Sequence, residues 1–351
     1  MNIVYGVSGE GLGHVYEAIQ VITRLNREGH SVKVLTYGGR ACRSLADFKP
    51  TRIEGIYLYF DDKGMSLGQT VFKNLSIFPF FFRNWRRLRG EIEAFKPDAF
   101  ITAYEPYSMV MSHVLRRPLI SMDNQNEILH AKAPPGTPLP ALWLVKLATR
   151  VCTFGARFYV IKSLTKSCRD GARTRFVSPM IQDEIRAVRP TRGDHVLVYL
   201  TKPNPALLEV LKSIDETFIV YCGHPAGREG NLVFRPQGQN YVRDLGSCKA
   251  IIATTGFSLI ADAIFLGKPY YGAPLRRQFE QTYNAHWLRQ LGIGEFSETI
   301  TKADLEQFMA SLDTFRTCLE RLHLDPSEQE ATLLSLLKDI EAGFPQPAPV
   351  S

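Results

Sequence analysis

Short β-branched strands alternate with amphipathic helices along this chain, and the alternation starts afresh near residue 195. In the first half, the pattern predicts strands at residues 3–7, 31–37, 99–102 and 119–122. In the second half, it predicts strands at residues 195–200, 218–221, 250–253 and 269–271. Such alternation is typical of parallel sheets covered by helices on both faces. The sequence therefore predicts an α/β protein with two Rossmann-like, doubly wound domains that face each other across a cleft.

The 351 residues of the chain are too many for one ordinary core. The stretch Arg189–Asp194, with its proline and glycine, is typical of a linker. We predict an N-terminal domain at residues 1–188, a linker at 189–194 and a C-terminal domain at 195–326. A final helix and tail occupy residues 327–351.

Composition narrows the class of protein. The six cysteines are scattered, without the spacing of a disulfide framework or a metal site, so we expect reduced thiols and no bound metal. The chain starts directly in a strand pattern, without a signal peptide, and has no run of ~18 apolar residues. We therefore expect a cytoplasmic protein, with the inner face of the cell membrane as an alternative location. The net charge of +7 favours anionic partners without choosing among them.

A glycine turn joins the strand at residues 250–253 to a helix predicted over residues 258–266. We expect a glycine at position 256 because the turn needs either a positive φ or a close approach of the backbone to a ligand. A turn of this kind presents free N–H groups and the positive end of a helix, which is a binding site for phosphate. Asp262 follows one turn into the helix, at the reach of a ribose hydroxyl. The sequence thus indicates a nucleotide diphosphate at this turn.

A second glycine-rich turn, Gly9–His14, follows the first strand. A dinucleotide-binding domain would carry an acid at the end of its second strand, where this chain has Thr36–Gly39, so a dehydrogenase is disfavoured. His14 would head the first helix and face the cleft. Its ordinary pKa near neutrality is that of a general base, and Glu10 is an alternative base in the same turn.

These two turns carry a resemblance to a known family. Thr255–Ala263, Leu266–Pro269 and Gln278–Ala285 resemble the donor-site segment of GT-B glycosyltransferases. The similar branch contains the lipid-linked N-acetylglucosaminyltransferase of peptidoglycan synthesis and the UDP-glycosyltransferases. Gly9–His14 resembles the glycine-rich G-x-G-G-H loop of that branch. The resemblance extends over nearly the whole chain and is most specific over Thr254–Gly294.

The resemblance assigns expected roles to individual residues. It implies that the diphosphate binds at Gly256, Phe257 and Ser258, the ribose at Asp262, and the sugar hydroxyls at Glu280 and Gln281. Relatives often carry Gly or Ser in place of Thr255, which we expect to narrow the phosphate pocket slightly. Arg276 or Arg277 would help to stabilise the leaving diphosphate. On the acceptor side, the resemblance places Gly11 and Gly13 beside the ligand and the role of catalytic base on His14.

Two further polar groups follow predicted strands of the first half. Glu105 is expected to orient His14 and stabilise its protonated form, or to contact the acceptor, although relatives carry an Asp near here and this chain has Ala103. Asp123 and Gln125 belong to a polar run, Asp123–Asn126, that resembles the His-Glu-Gln-Asn stretch of the peptidoglycan enzyme. We therefore predict that this run belongs to the acceptor surface.

A basic aromatic segment occupies residues 72–90, within a stretch that lacks acids from Lys63 to Gly90. One interpretation is a core helix whose apolar stripe is Phe81, Trp85, Leu88, Ile92 and Phe95, with its arginines in solvent. The other is peripheral contact with an anionic membrane through the phenylalanines outside that stripe, Phe78, Phe80 and Phe82. No RNA motif accompanies the segment, so nucleic acid is not an expected partner.

Together these features predict a glycosyltransferase that moves a sugar from a nucleotide donor, with UDP favoured, to an acceptor hydroxyl. Inversion without metal or cofactor is expected, and a lipid-linked or cell-envelope acceptor is a candidate. Two alternatives stay open at this point. One is a non-hydrolysing sugar-nucleotide epimerase, and the other is a non-catalytic nucleotide-sugar-binding protein of the same fold.

Overall fold

A computed structural model describes residues 1–9, 12–55, 57, 59–61, 64–75, 78–165, 170–236 and 238–343. In chain order its strands are β1 (Asn2–Val7), β2 (Ser31–Thr36), β3 (Thr51–Arg52), β4 (Phe60–Asp61), β5 (Gly64–Met65), β6 (Ala99–Ala103), β7 (Leu119–Asp123), β8 (Phe158–Lys162), β9 (Thr174–Val177), β10 (His195–Tyr199), β11 (Thr217–Tyr221), β12 (Gly227–Glu229), β13 (Leu232–Phe234), β14 (Ala250–Ala253), β15 (Tyr270–Gly272) and β16 (Gly294–Phe296). Its helices are α1 (Leu12–Arg27), α2 (Gly39–Ser44), α3 (Leu67–Leu75), α4 (Phe78–Phe95), α5 (Pro106–Val114), α6 (Glu127–His130), α7 (Leu139–Cys152), α8 (Asp183–Arg186), α9 (Pro205–Lys212), α10 (Gln239–Ser247), α11 (Phe257–Phe265), α12 (Phe279–Gln290), α13 (Lys302–Ala310), α14 (Leu312–Leu319) and α15 (Glu328–Glu341).

The strands form one sheet in each half of the chain, besides a small β4–β5 hairpin. The first sheet has the order β3-β2-β1-β6-β7-β8-β9 and is parallel throughout. The second has the order β12-β13-β11-β10-β14-β15-β16, in which only β12 is antiparallel to its neighbour. The predicted pair of doubly wound α/β domains is confirmed.

The strand order reverses direction between β1 and β6 in the first sheet and between β10 and β14 in the second. Ligands of open parallel sheets bind at such switch points, beyond the carboxyl ends of the strands. The turn that follows β1 leads to His14, and the turn that follows β14 contains Gly256. Topology therefore places both predicted glycine turns at ligand-binding positions.

Helix α15 leaves the second half of the chain and returns to the first. Its side chains Leu333, Leu336 and Leu337 are buried in the same core cluster as Ile3 and Val15. The helix contacts β8 and β9 of the first sheet. The predicted final helix is thus a part of the N-terminal core, which ties the two halves together.

Two expectations from composition concern absences. Within the described ranges, no helix is both long and apolar enough to cross a membrane. The five cysteines in these ranges are free, whereas Cys168 lies outside them.

Candidate active site

Helix α11 begins at the turn after β14 with an open N-terminus. Its N-cap residue, Gly256, has φ −71° and ψ 135°, and no side chain caps the helix. The expectation of a positive φ at Gly256 is wrong. A Cβ built on Gly256 would meet no atom within 4 Å, so the glycine leaves free space above the first turn. The geometry retains the second expected use, close approach of a ligand to the amides of Phe257 and Ser258.

Thr255 does not narrow this space. Its side chain is fully buried, and its hydroxyl donates to the carbonyl of Gln281 at 2.7 Å. The carbonyl of Thr255 in turn accepts from the side-chain amide of Asn284 at 3.0 Å. Thr255 therefore fastens the turn to α12 from below, and its predicted direct part in donor binding is reduced to holding the backbone.

Asp262 lies on α11, near Tyr241 and Tyr270. Burial raises the pKa of its carboxyl to about 7, because nothing compensates the loss of water around the charge. Among the described residues its carboxylate accepts no hydrogen bond, although Tyr241 and Tyr270 are close enough to interact with it electrostatically. An acid held in this way is ready to accept a hydrogen bond from a ligand hydroxyl.

Helix α1 starts across the cleft from α11. A Cβ on Gly13 would stand 2.8 Å from the hydroxyl oxygen of Ser258, so any side chain at position 13 would force that hydroxyl to move. The first turns of α1 and α11 thus meet, and their positive ends converge on one small volume. Gly11 and the alternative base Glu10 lie outside the described residues.

His14 occupies the third position of α1 and contacts the turn after β7. Its Nε2 lies 3.4 Å from the side-chain nitrogen of Gln125. Among the described residues, the buried Nδ1 of His14 and Oε1 of Gln125 have no hydrogen-bond partner. Burial, assisted by the positive charge of Lys162, lowers the pKa of His14 to about 3, so the imidazole is neutral at physiological pH. This contact between His14 and Gln125 was not predicted from the sequence, and the structure brings it together from the two predicted acceptor-side turns.

Lys162 was missed in the sequence, although it ends β8 beside β7 and lies at the centre of the cleft. Its ammonium group bonds Glu17 of α1 at 2.5 Å, and Glu17 also accepts from Gln329 of α15. Burial raises the pKa values of Asp123 and Glu280, and the positive charge of Lys162 offsets part of that rise. Its signal in the sequence was a lysine directly after the apolar run Phe158–Ile161.

Glu280 reaches across the cleft to the first half of the chain. Its Oε1 accepts from the side-chain amide of Asn124 at 3.0 Å. Asn124 is therefore a second residue that we had not singled out individually in the sequence. The neighbouring Gln281 uses its Oε1 to accept from the backbone of Leu275 at 2.8 Å, which leaves its NH₂ group for a ligand.

Two acids that we predicted for the site, Glu105 and Asp123, accept hydrogen bonds from neighbouring protein groups instead of facing a ligand. Glu105 is the N-cap of α5, where its carboxylate accepts from the amides of Tyr107 and Ser108 and from the Ser108 hydroxyl. Burial raises its pKa to about 7, and its hydrogen bonds do not reach His14. Asp123 accepts from Ser121 and from Asn126, which holds the turn after β7 in shape. Neither carboxylate has the expected ligand-facing position, because both satisfy buried donors.

Arg276 and Arg277 are exposed and line a pocket with Pro138 and Ala141 at the start of α7. Phe279, Thr282 and Glu298 complete this pocket. The structure records no contact between either arginine and the first turn of α11. The described residues contain no cluster of three or more histidine, cysteine or acidic side chains suited to a metal ion.

The basic aromatic segment is described in part. Leu88 and Ile92 are buried and Trp85 packs on the same core, which confirms these positions of the apolar stripe. Arg87 and Arg89 form exposed pairs with acids one turn later. Phe72 and Leu75 are exposed. The side chains of residues 78–84, which include the phenylalanines of the membrane hypothesis, lie outside the description.

Comparison with known proteins agrees with this fold. Residues 1–313 match the sequence model of the family described as glycosyl transferase family 1. The glycotransferase of kitacinnamycin is similar in structure, with a TM-score of 0.68 and 17% identity over 97% of this chain and 98% of that one. A spinosyn rhamnosyltransferase complexed with thymidine diphosphate gives 0.63 and 14% over 96% and 100%. MurG from Acinetobacter baumannii gives 0.59 and 16% over 96% and 99%. No curated protein matches the chain by sequence.

Proposed function

The chain belongs to glycosyl transferase family 1 and is a glycosyltransferase of the GT-B fold, and we propose that it transfers the sugar of a UDP-sugar donor to an acceptor hydroxyl with inversion. Family membership speaks against the epimerase and the non-catalytic binding protein as alternatives. The proposal concerns the donor nucleotide, the stereochemistry and the parts played by individual residues.

The observation that carries the proposal is the meeting of two helix N-termini at the mouth of the cleft. The uncapped amides of α11 and the first turn of α1 converge where Gly13 faces Ser258. A diphosphate there would receive backbone hydrogen bonds and two helix dipoles. These groups stabilise the negative charge that develops on the diphosphate as the glycosidic bond breaks. Stabilisation of this kind would let the diphosphate leave without the help of a metal ion.

The remaining groups arrange the donor around that diphosphate. Asp262 would accept a hydrogen bond from a ribose hydroxyl, which compensates the buried carboxylate. Glu280 and the free NH₂ of Gln281 would hold sugar hydroxyls, with Asn124 approaching the same sugar from the other half of the chain. The hydrogen bond from Asn124 to Glu280 supports this arrangement, because it places both side chains in one subsite.

His14 would act as the base. The acceptor oxygen attacks the anomeric carbon from the face opposite the diphosphate, its proton passes to His14, and the bond from carbon to diphosphate oxygen breaks with both electrons leaving on the oxygen. One displacement of this kind inverts the anomeric configuration. The unpartnered Nδ1 of His14 and Oε1 of Gln125 support a polar ligand atom at this point.

A base with a pKa of about 3 is weak, and a bound donor would strengthen it by raising that pKa. The diphosphate would bring negative charge close to His14 and offset the positive charge of Lys162, which raises the pKa of the imidazole. A single charge ~6 Å away at an effective dielectric constant of ~20 contributes ~3 kcal/mol, equivalent to ~2 pH units. His14 would therefore be a stronger base when the donor is bound than in the free protein.

The nucleotide and the acceptor are open to direct test. A spinosyn rhamnosyltransferase of this fold has been seen with thymidine diphosphate, so thymidine and uridine donors are compared side by side. A lipid-linked acceptor is part of the proposal, and residues 72–90, with Phe72 and Leu75 exposed, are one candidate for contact with an anionic membrane.

A calorimetric screen of UDP, TDP, GDP and ADP tests the donor, followed by incubation of UDP-sugars with lipid-linked and soluble acceptors. Tightest binding of UDP and formation of the inverted product support the proposal. Tighter binding of another nucleotide would replace UDP, and a retained anomeric configuration would contradict the single displacement by way of His14.

A further inference from the structure

Helix α7 carries a continuous apolar stripe on its outer face. The side chains Leu139, Trp143, Leu147, Val151 and Phe154 follow one another at intervals of three or four residues. Their exposed fractions lie between 58% and 72%, which is unusual for large apolar side chains on one face. Leu144 widens the stripe and is also exposed. We call these six residues the α7 stripe.

The inner face of the same helix is well packed, so the exposure is not a sign of a loose helix. Leu142 is buried in the core that also contains Trp287 of α12. Thr149 is fully buried and lies 3.3 Å from the hydroxyl of Tyr104. Thr153, just after the helix, donates to Asn126 at 3.2 Å. The helix is fixed, and within the part of the chain that the structure describes its apolar outer face stays exposed.

The segment of the sequence that carries the α7 stripe has charges of one sign. Residues 128–169 contain no Asp or Glu and carry seven Lys and Arg residues. On α7 itself the only charged residues are Lys146 and Arg150, and Lys146 lies 5.8 Å from the centre of the Trp143 ring. Val114 and the stacked pair His113–Phe154 extend the stripe towards exposed Arg116 and Arg117.

An apolar stripe edged by basic residues is complementary to an anionic lipid surface. The 14 residues of α7 span ~21 Å, which is too short to cross a bilayer but enough to lie along its interface. A symmetric dimer through the same stripe would bring the basic residues of one copy against those of the other. Charge therefore favours the lipid surface over a second copy.

We propose that the α7 stripe is a membrane-docking surface, with an anionic lipid bilayer as its partner. Insertion would bury the tryptophan and leucine side chains among acyl chains, while Lys146 and Arg150 contact lipid phosphates. The inner face of α7 adjoins the turn that carries Asn124 and Gln125. The outer face of α7 is therefore one helix diameter, ~10 Å, from that turn. Resting on the proposed function, this position would bring an acceptor hydroxyl of a membrane amphiphile to His14.

Flotation on vesicles tests the proposal with the full chain. Vesicles of phosphatidylcholine alone are compared with vesicles of phosphatidylcholine and phosphatidylglycerol in equal parts. The double variant Trp143→Glu/Leu147→Glu should lower binding to anionic vesicles by at least about tenfold, because charge replaces inserted apolar groups. Lys146→Gln and Arg150→Gln should each lower it by about fivefold, and high salt should act in the same direction.

The matched control is Phe72→Glu/Leu75→Glu, which places two charges on another exposed apolar pair, within the segment 72–90. Docking through the α7 stripe predicts that this variant binds anionic vesicles within about twofold of the wild type, whereas contact through residues 72–90 predicts a loss of binding. A thermal shift on addition of UDP shows that each variant is folded and reports donor binding separately from docking.

Several results would overturn the docking surface. One is a wild type that stays unbound in the presence of anionic vesicles, and another is an α7 variant that floats as well as the wild type. A loss only in the Phe72/Leu75 control would move docking to residues 72–90. A dimer in solution that the α7 variant dissociates would make a second copy the partner. Failure of UDP binding would refute the donor proposal and leave the vesicle result standing.

Discussion

The two glycine turns of this protein have the same topology and different chemistry. Each follows a central strand at the switch point of its sheet and leads into a helix. The turn before α11 offers backbone amides beneath open space at Gly256, without a charged side chain in the first turn. The turn before α1 places His14 in the first turn, beside Gln125 and near the charge of Lys162.

This difference teaches how one structural unit can serve two tasks. Backbone N–H groups and a helix dipole have fixed charge, which favours a permanent anion such as a diphosphate. A side chain whose pKa responds to its surroundings can instead take up a proton when the ligand arrives. The two first turns meet at Gly13 and Ser258. A diphosphate bound at the turn before α11 should therefore change the pKa of His14 in the other turn.

The largest expected effect comes from His14→Gln, which removes the proposed base and keeps a side chain able to bond Gln125. Transfer should fall by about 10²–10⁴-fold, as for loss of a general base, while UDP affinity changes little. Transfer kinetics with the acceptor found in the screen measure the first quantity and calorimetry the second. His286→Gln, on α12, is the control and should retain transfer; equal losses in the two variants would contradict the role of His14.

Gly256→Val tests the other turn. The backbone of Gly256 is accessible to any residue and its Cβ would meet no protein atom, so stability should fall by about 1 kcal/mol or less. The added side chain would fill the phosphate space, and UDP affinity should fall by about 10–100-fold. Gly267→Ala is the converse control, because its φ of +65° penalises a side chain by about 1 kcal/mol.

Denaturant unfolding and calorimetry on both glycine variants separate these predictions. Gly256→Val should lose donor affinity with its stability nearly intact, whereas Gly267→Ala should lose stability with its donor affinity intact. If Gly256→Val binds UDP as well as the wild type, the diphosphate does not lie above the first turn of α11.

Asp262→Asn sharpens the account of the donor pocket. The folded-state pKa of about 7 exceeds the ordinary value of an Asp, so protonation stabilises the fold at low pH and this contribution is lost as the pH rises through 7. The variant should therefore be about 1–2 kcal/mol more stable than the wild type at pH 8, by less at pH 5, and equal to it only below about pH 4, where the unfolded chain is protonated as well. UDP affinity should fall by about tenfold because the ribose loses a charged acceptor.

Thermal unfolding at these pH values and calorimetry at pH 8 measure both effects. A variant that is destabilised at pH 8, with unchanged affinity for UDP, would show that Asp262 is an ordinary buried acid.

The smallest expected effect is that of Gln125→Glu. A carboxylate in place of the amide 3.4 Å from His14 would favour the imidazolium and raise the pKa of His14. The acid limb of the pH–rate profile should move to higher pH by about one unit. An unshifted profile would mean that Gln125 is not the group that faces the catalytic imidazole.

The fold could be predicted from local patterns because its central strands are apolar runs bounded by turn residues, as at residues 250–253 and 119–122. The destination of α15 could not, since Leu333 and Leu336 show an apolar face without naming the sheet that it covers. Strand β8 was missed as well, and with it Lys162. Its run Phe158–Ile161 follows an exposed apolar helix, so periodicity alone did not separate the two.

The site was predictable where the backbone defines it and not where side chains choose their partners. Gly256 and Gly13 follow from the need for close approach, which the sequence records as glycine. Glu105 ends a strand as an active-site acid does, yet its carboxylate caps α5. Asn124 bonds Glu280, 156 residues away, and only the assembled halves show it.

The central claim is that the two turns form one site, and an NMR titration of His14 tests it directly. With the imidazole of His14 labelled, its shifts should report a neutral ring at pH 5–8 in the free protein, as expected from a pKa of about 3. Saturating UDP should raise that pKa, and UMP, with one phosphate fewer, should raise it less. If UDP binds and the titration of His14 does not move, the diphosphate and the histidine do not share a site.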